Sequence, residues 1–139
     1  MDRHFAIDEL RNRIASIRCA LEPAFASDTA LDQMSGPVPS AGHCAAVAVL
    51  VNDLLGGTLV SAIVNGQSHW FNRVQAGNGL VDVDVTGDQF GLEPIRIGAA
   101  GALYEDTRVR AQEEVHEETF ARAAKLGTRA GLERAETAR

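Results

Sequence analysis

Residues 42–57, GHCAAVAVLVNDLLGG, decide the reading of this chain. From Ala45 to Leu55 every side chain is Ala, Val or Leu except Asn52 and Asp53, a run long enough for about three helical turns and too apolar for a surface helix. The pair Gly56-Gly57 suits the left-handed conformation that closes a helix, and Ser40-Ala41-Gly42 offers a cap and a tight approach at the other end. The spacing therefore predicts a buried helix with Cys44 in its first turn. Unpaired amide N–H groups and the positive end of the helix dipole gather there and favour an anionic sulfur, which is how a cysteine becomes a nucleophile. A small buried hydrophobe is the competing account of any single cysteine.

The rest of the chain is compatible with one domain built around that helix. At 139 residues it is long enough to bury a core without disulfides or a structural metal. Hydrophobic residues make up 45% and charged residues 23%, which argues against disorder. A formal charge of −6 leaves no electrostatic footprint for nucleic acid or an anionic membrane surface, and neither is expected as a partner. The N-terminal residues MDRHFAIDELRNRI are charged, and no apolar run approaches the roughly 20 residues needed to cross a bilayer. With two cysteines, Cys19 and Cys44, in place of a disulfide framework, reduced thiols and a cytoplasmic location are expected.

Ile7, Leu10, Ile14, Ile17 and Leu21 recur at three- and four-residue steps and predict an amphipathic helix with Asp8, Glu9, Arg11 and Arg13 facing outward. Cys19 lies off that stripe, as a packing or surface residue. From Glu22 to Gly42 the chain turns to Pro, Ser, Gly and Asp and reads as a loop that feeds the central helix and shapes the rim of a cleft. Three strands follow, TLVSAIVN, SHWFNRV and LVDVDVT, joined at Asn65-Gly66 and at QAGNG. In the second, His69, Phe71 and Arg73 share one face and Trp70 and Asn72 the other; in the third, Asp82 and Asp84 oppose Val81, Val83 and Val85. Residues 87–101 read as an irregular connector anchored by Phe90. Residues 106–139 read as helix in one or two pieces, best over EETFARAAKLGTRA, with Glu118 and Arg122 four apart in the favourable order and the last residues frayed.

A thiol nucleophile needs a base and a group that holds the base. His69 and Asp84 fill those roles if the hairpin carries them toward the start of the helix, since cross-strand neighbours lie about 5 Å apart. Asp82 on the same face is the alternative acid if the strand register differs. His43 is the lesser alternative as base, because successive helical residues point apart. His43, Trp70 and Asn72 are the candidate substrate contacts. Cys44, His43, His69 and an aspartate could hold zinc only without the support of a CxxC or HxxxH spacing, so no metal and no cofactor is expected. His4 and His116 sit in charged helices and read as solvated.

The three ordered segments GHCAAVAVLVNDLLGG, NGQSHWFN and VDVDVTGDQFG resemble the YunG-type proteins, and TFARAAKL is a weaker echo of the same family. The resemblance runs from about Ser40 to Gly91. It implies an α+β, papain-like fold, similar also to NlpC-type and transglutaminase-like cysteine enzymes. In that fold an N-terminal helix and a buried Cys-bearing helix pack on a small antiparallel sheet, with a C-terminal helix after it. It further implies Cys44 as nucleophile, His69 as base and Asp84 as orienting acid. This chain departs from the pattern at His43, where the family has Gln, at Trp70-Phe71 in place of Tyr-Trp, and at Ala123 in place of Tyr. The expected activity is hydrolysis of an amide or peptide bond in a small-molecule or peptide substrate, through a thioester acyl-enzyme. Acyl transfer or thioester processing in a biosynthetic pathway is the alternative within enzymes, and a non-catalytic binding protein the alternative outside them.

Overall fold

The computed structural model describes residues 4–26 and 43–132. Helix α1, Ile7–Leu21, buries Leu10, Ile14, Ile17 and Leu21, the predicted stripe, and leaves Cys19 exposed. A short 3-10 turn, Glu22–Ala24, follows where the loop begins; the remainder of that predicted loop, residues 27–42, lies outside the described residues, as do residues 133–139. Helix α2, Cys44–Leu55, starts at the cysteine itself with His43 as its cap residue. Its interior is buried almost all round, as its composition requires.

The strands form one sheet. In chain order they are β1 (His4–Phe5), β2 (Thr58–Val64), β3 (Gln67–Ala76), β4 (Gly79–Asp84), β5 (Arg96–Ala99) and β6 (Arg108–Arg110). Their order across the sheet is β5-β4-β3-β2-β6, all antiparallel, while β1 pairs in parallel with the far end of β3 at Gln75 and Ala76. Strands β2, β3 and β4 are the three that the alternation predicts. Two expectations need correction. The segment 87–101 is no mere connector, since it contains a 3-10 turn, Gly87–Phe90, and the edge strand β5. Residues 106–116 are not helical but hold β6 and a 3-10 turn, Gln112–Glu114, and a single helix α3, Glu117–Ala130, follows. These strands span four and three residues, too short for a period to show.

Strand β3 divides the molecule. One face turns Asn72 and Val74 toward α2, where the Asn72 side-chain amide donates to the Ala48 carbonyl at 2.8 Å and Val74, Val81, Val83 and Val85 join the core made by α1, α2 and Leu126 of α3. The opposite face carries His69 and Phe71, with Val60, Ala62 and Tyr104 packed beside them. Each fully buried Val or Leu of the first core contributes about 1.5–3 kcal/mol by leaving water, so this layer dominates the stability of the fold. Helix α3 lies against α2 through Ala46, Val49 and Ala123, and the approach is so close at Gly127 that a Cβ there would stand 3.0 Å from Leu50 Cδ1. Arg18 of α1 is buried and forks onto Asp88 at 2.9 Å through both terminal nitrogens while donating to the Val85 carbonyl at 2.7 Å. It thereby ties α1 to the turn that carries Gln89 and Phe90. Among the described residues no helix is long and apolar enough to cross a membrane.

Candidate functional site

The start of α2 meets the start of β3, and this junction brings Cys44 to His69. The Cys44 thiol is half-buried and its sulfur stands 3.9 Å from the Ser68 carbonyl oxygen, one residue from His69. His69 is fully buried. Its Nε2 lies 2.9 Å from Asp84 Oδ2, and its Nδ1 completes no hydrogen bond. Continuing the β3–β4 register one step past Asn72–Val83 puts Asp84 opposite Phe71, so the contact with His69 runs diagonally along one face.

The ring is walled by aromatics, Phe71 at 5.9 Å, Phe90 at 4.9 Å and Tyr104 at 5.2 Å between centroids. That burial opposes a charge on His69. It is outweighed by the Asp84 carboxylate together with the Cys44 sulfur, which hold its pKa up at about 9 against an ordinary 6.5. At neutral pH the ring is therefore an imidazolium, with Nε2–H donating to Asp84 and Nδ1–H left on the side of the thiol. Asp84 accepts three further donations, from the Thr86 amide at 3.0 Å, the Thr86 hydroxyl at 3.3 Å and the Tyr104 hydroxyl. Burial, then the neighbouring carboxylate, keeps the Tyr104 hydroxyl protonated far above its usual range.

The alternative acid is occupied elsewhere. Asp82 accepts from Arg73 Nε at 2.6 Å, Arg73 Nη2 at 3.1 Å and the Gly101 amide at 2.9 Å, on the same sheet face as Asp84 but one pleat away from His69. Of the candidate substrate contacts, Trp70 lines the cleft in front of Cys44. His43 and Asn72 do not line it. His43 is buried with its ring 4.5 Å from that of Phe25, because the residue before the helix turns its side chain inward, and Asn72 is spent on the Ala48 carbonyl. Among the described residues no group of three or more His, Cys, Asp or Glu side chains is placed to hold a metal ion.

The cleft has a volume of about 540 Å3. Cys44 and Ala45 of α2 form its floor, Ser68 and Trp70 of β3 one side, and Gln89 and Phe90 the rim beside His69. The outer wall comes from the C-terminal third of the chain, through Glu114, Val115, His116, Thr119 and Arg122. The sequence signal for that wall was the echo TFARAAKL, in which Thr119 and Arg122 stand three apart on one side of α3. Tyr104 carried no such signal, since it sits among bends between β5 and β6. The predicted pair of Glu118 with Arg122 is not made: Glu118 stands 3.7 Å from His116 instead, and Arg122 donates from Nη2 to the Thr119 hydroxyl at 2.9 Å. His116 also caps α3 by accepting from the Glu118 amide at 3.2 Å, so it is exposed but not idle.

No curated protein and no solved structure compared with the chain matches it. The family model described as YunG protein matches residues 13–130, a span that takes in α2, the hairpin of His69 and Asp84 and the α3 wall, and the chain belongs to that family.

Proposed function

We propose that the protein is a cysteine-dependent hydrolase of an amide or peptide bond in a small-molecule or peptide substrate. Cys44 is its nucleophile, His69 the proton carrier and Asp84 the group that holds the histidine, in a papain-like arrangement. The observation that carries this reading is the state of the His69 ring. It is sealed from water, fixed by Asp84 through Nε2 and left with Nδ1 toward a thiol at the start of a helix. A buried imidazole with one nitrogen unused costs about 1–3 kcal/mol, and a proton-transfer role explains its retention.

The reacting form in this mechanism is the one in which His69 holds the proton of Cys44, and its sulfur attacks the substrate carbonyl carbon directly. The Cys44 amide N–H at the helix start stabilises the oxygen as it becomes negative. Nδ1–H then passes its proton to the departing amine, leaving a thioester on Cys44. Water, deprotonated by His69, attacks that thioester and releases the acid with the thiol restored. With both cysteines unpaired, a reducing compartment such as the cytoplasm suits the chemistry.

The test compares two cysteines in one molecule. Iodoacetamide alkylation is followed by peptide mass spectrometry across pH 5–10, with exposed Cys19 as the internal standard. Cys44 is expected to react at pH values where Cys19 does not, and His69→Ala is expected to slow Cys44 at pH 7 by about tenfold or more while Cys19 is unmoved. Equal profiles for both cysteines in the native protein would remove the reading.

A further inference from the structure

Among the described residues the buried side-chain nitrogens and oxygens without a partner belong to His69, Gln89 and Arg122, through Nδ1, Oε1 and Nε respectively. All three residues stand at one place. His69 lies behind Cys44, and Gln89 and Arg122 line the cleft in front of it. Such an atom is costly when left unsatisfied, and folded proteins keep few of them. His69 Nδ1 faces Cys44, whereas Gln89 and Arg122 converge on the cleft itself and point to a ligand that satisfies them.

Arg122 is the informative member. Three other buried or half-buried arginines face a carboxylate, Arg18 with Asp88, Arg73 with Asp82 and Arg110 with Glu114, while Arg96 donates to the Leu103 carbonyl and lies over the Tyr104 ring. Among the described residues Arg122 has no acidic partner; its guanidinium is steadied by the Thr119 hydroxyl, and Nε–H is unused. Glu114 also lines the cleft, but its charge is matched by Arg110 at 2.7 Å. The cleft wall thus offers one uncommitted guanidinium, which matches a planar monoanion better than a phosphate dianion.

We propose that Arg122 receives a carboxylate of the substrate, so that the cleft selects acyl compounds bearing a free carboxylate, with Gln89 Oε1 accepting an N–H from the same molecule. This assignment rests on Cys44 as the reacting group, and it deepens that reading by naming the substrate class.

The test uses two alkylating agents of nearly the same size, iodoacetate, which carries a carboxylate, and iodoacetamide, which does not. In each case the Cys44 sulfur forms a bond to the methylene carbon and iodide leaves. The readout is the ratio of the two rates at Cys44 divided by the same ratio at Cys19. That quotient cancels the intrinsic reactivity of the thiol. It is expected to exceed one by about tenfold in the native protein, to fall severalfold in Arg122→Gln toward what the His69 cation alone sustains, and to recover in part in Arg122→Lys. A quotient near one in the native protein, or one unchanged by Arg122→Gln, overturns the proposal even if Cys44 keeps its activated pH profile. An ordinary pH profile with a high quotient would instead overturn the nucleophile and keep the carboxylate site. A second measurement does not need the thiol at all. The Arg122 Nε–H resonance is followed by 15N NMR during titration with N-acetylglycinate, its neutral amide and inorganic phosphate. A shift with the carboxylate alone is expected; no shift, or an equal one with phosphate, overturns the assignment.

Discussion

Asp84 shows how much of the site is invisible to spacing arguments. Its partner on β3 was legible, because alternation puts His69 and Asp84 on facing strands of one hairpin. Its other partners were not. Thr86 donates to it through backbone and side chain, and Tyr104 reaches it from 20 residues away in a segment without period. Four donors on one buried carboxylate explain why Asp84, not Asp82, is the residue that holds the ring. Replacing one of them tests the account. Tyr104→Phe keeps the aromatic packing on His69 and Phe71 and removes only the hydroxyl, so stability is expected to fall by about 1–2 kcal/mol, read from the urea midpoint. A neutral result would mean that the hydroxyl does not matter to Asp84. His43 and Asn72 teach the converse lesson. Both are candidate substrate contacts in the sequence, but their own burial sends one to Phe25 and the other to Ala48.

At the scale of elements, α1, α2 and the β2–β3–β4 meander were legible because each repeats its period several times. Strands β1, β5 and β6 span two to four residues and exist because a longer neighbour offers a free edge. Strand β1 occupies the stretch of β3 that β2 no longer covers, a decision taken in three dimensions that no local pattern announces. The link from α2 to β2 depends on a glycine for a reason that sequence could only half supply. Gly57 has φ +82°, and a Cβ there would lie 2.2 Å from the Arg73 carbonyl oxygen of β3. Gly57→Ala therefore meets both a strained backbone and a clash with the strand that bears His69. A loss of about 2 kcal/mol or more is expected, measured by thermal or urea unfolding; a loss under half of that would show that the helix-to-strand turn can relax.

For the whole molecule, the charged His69 couples stability to pH. Its pKa is near 9 when folded and 6.5 ordinarily, so the folded state holds the proton more tightly. The resulting stabilisation is complete below about pH 6.5 and is lost as pH rises through about 9. Unfolding free energy is expected to decline by about 1–3 kcal/mol across that window in the native protein, and the decline is expected to flatten in His69→Gln, measured by urea unfolding at a series of pH values. An identical slope in both proteins would mean that the ring is neutral in the fold. Strand β3 has one more consequence. Its alternating faces serve two masters, the valine core under α2 on one side and the His69 pocket on the other, so a slip of one residue against β4 would expose the first and turn the imidazole away from Cys44 at the same stroke. Under the proposed function a misassembled copy is thereby chemically silent: the chain would wield no reactive thiol until it had passed its own inspection.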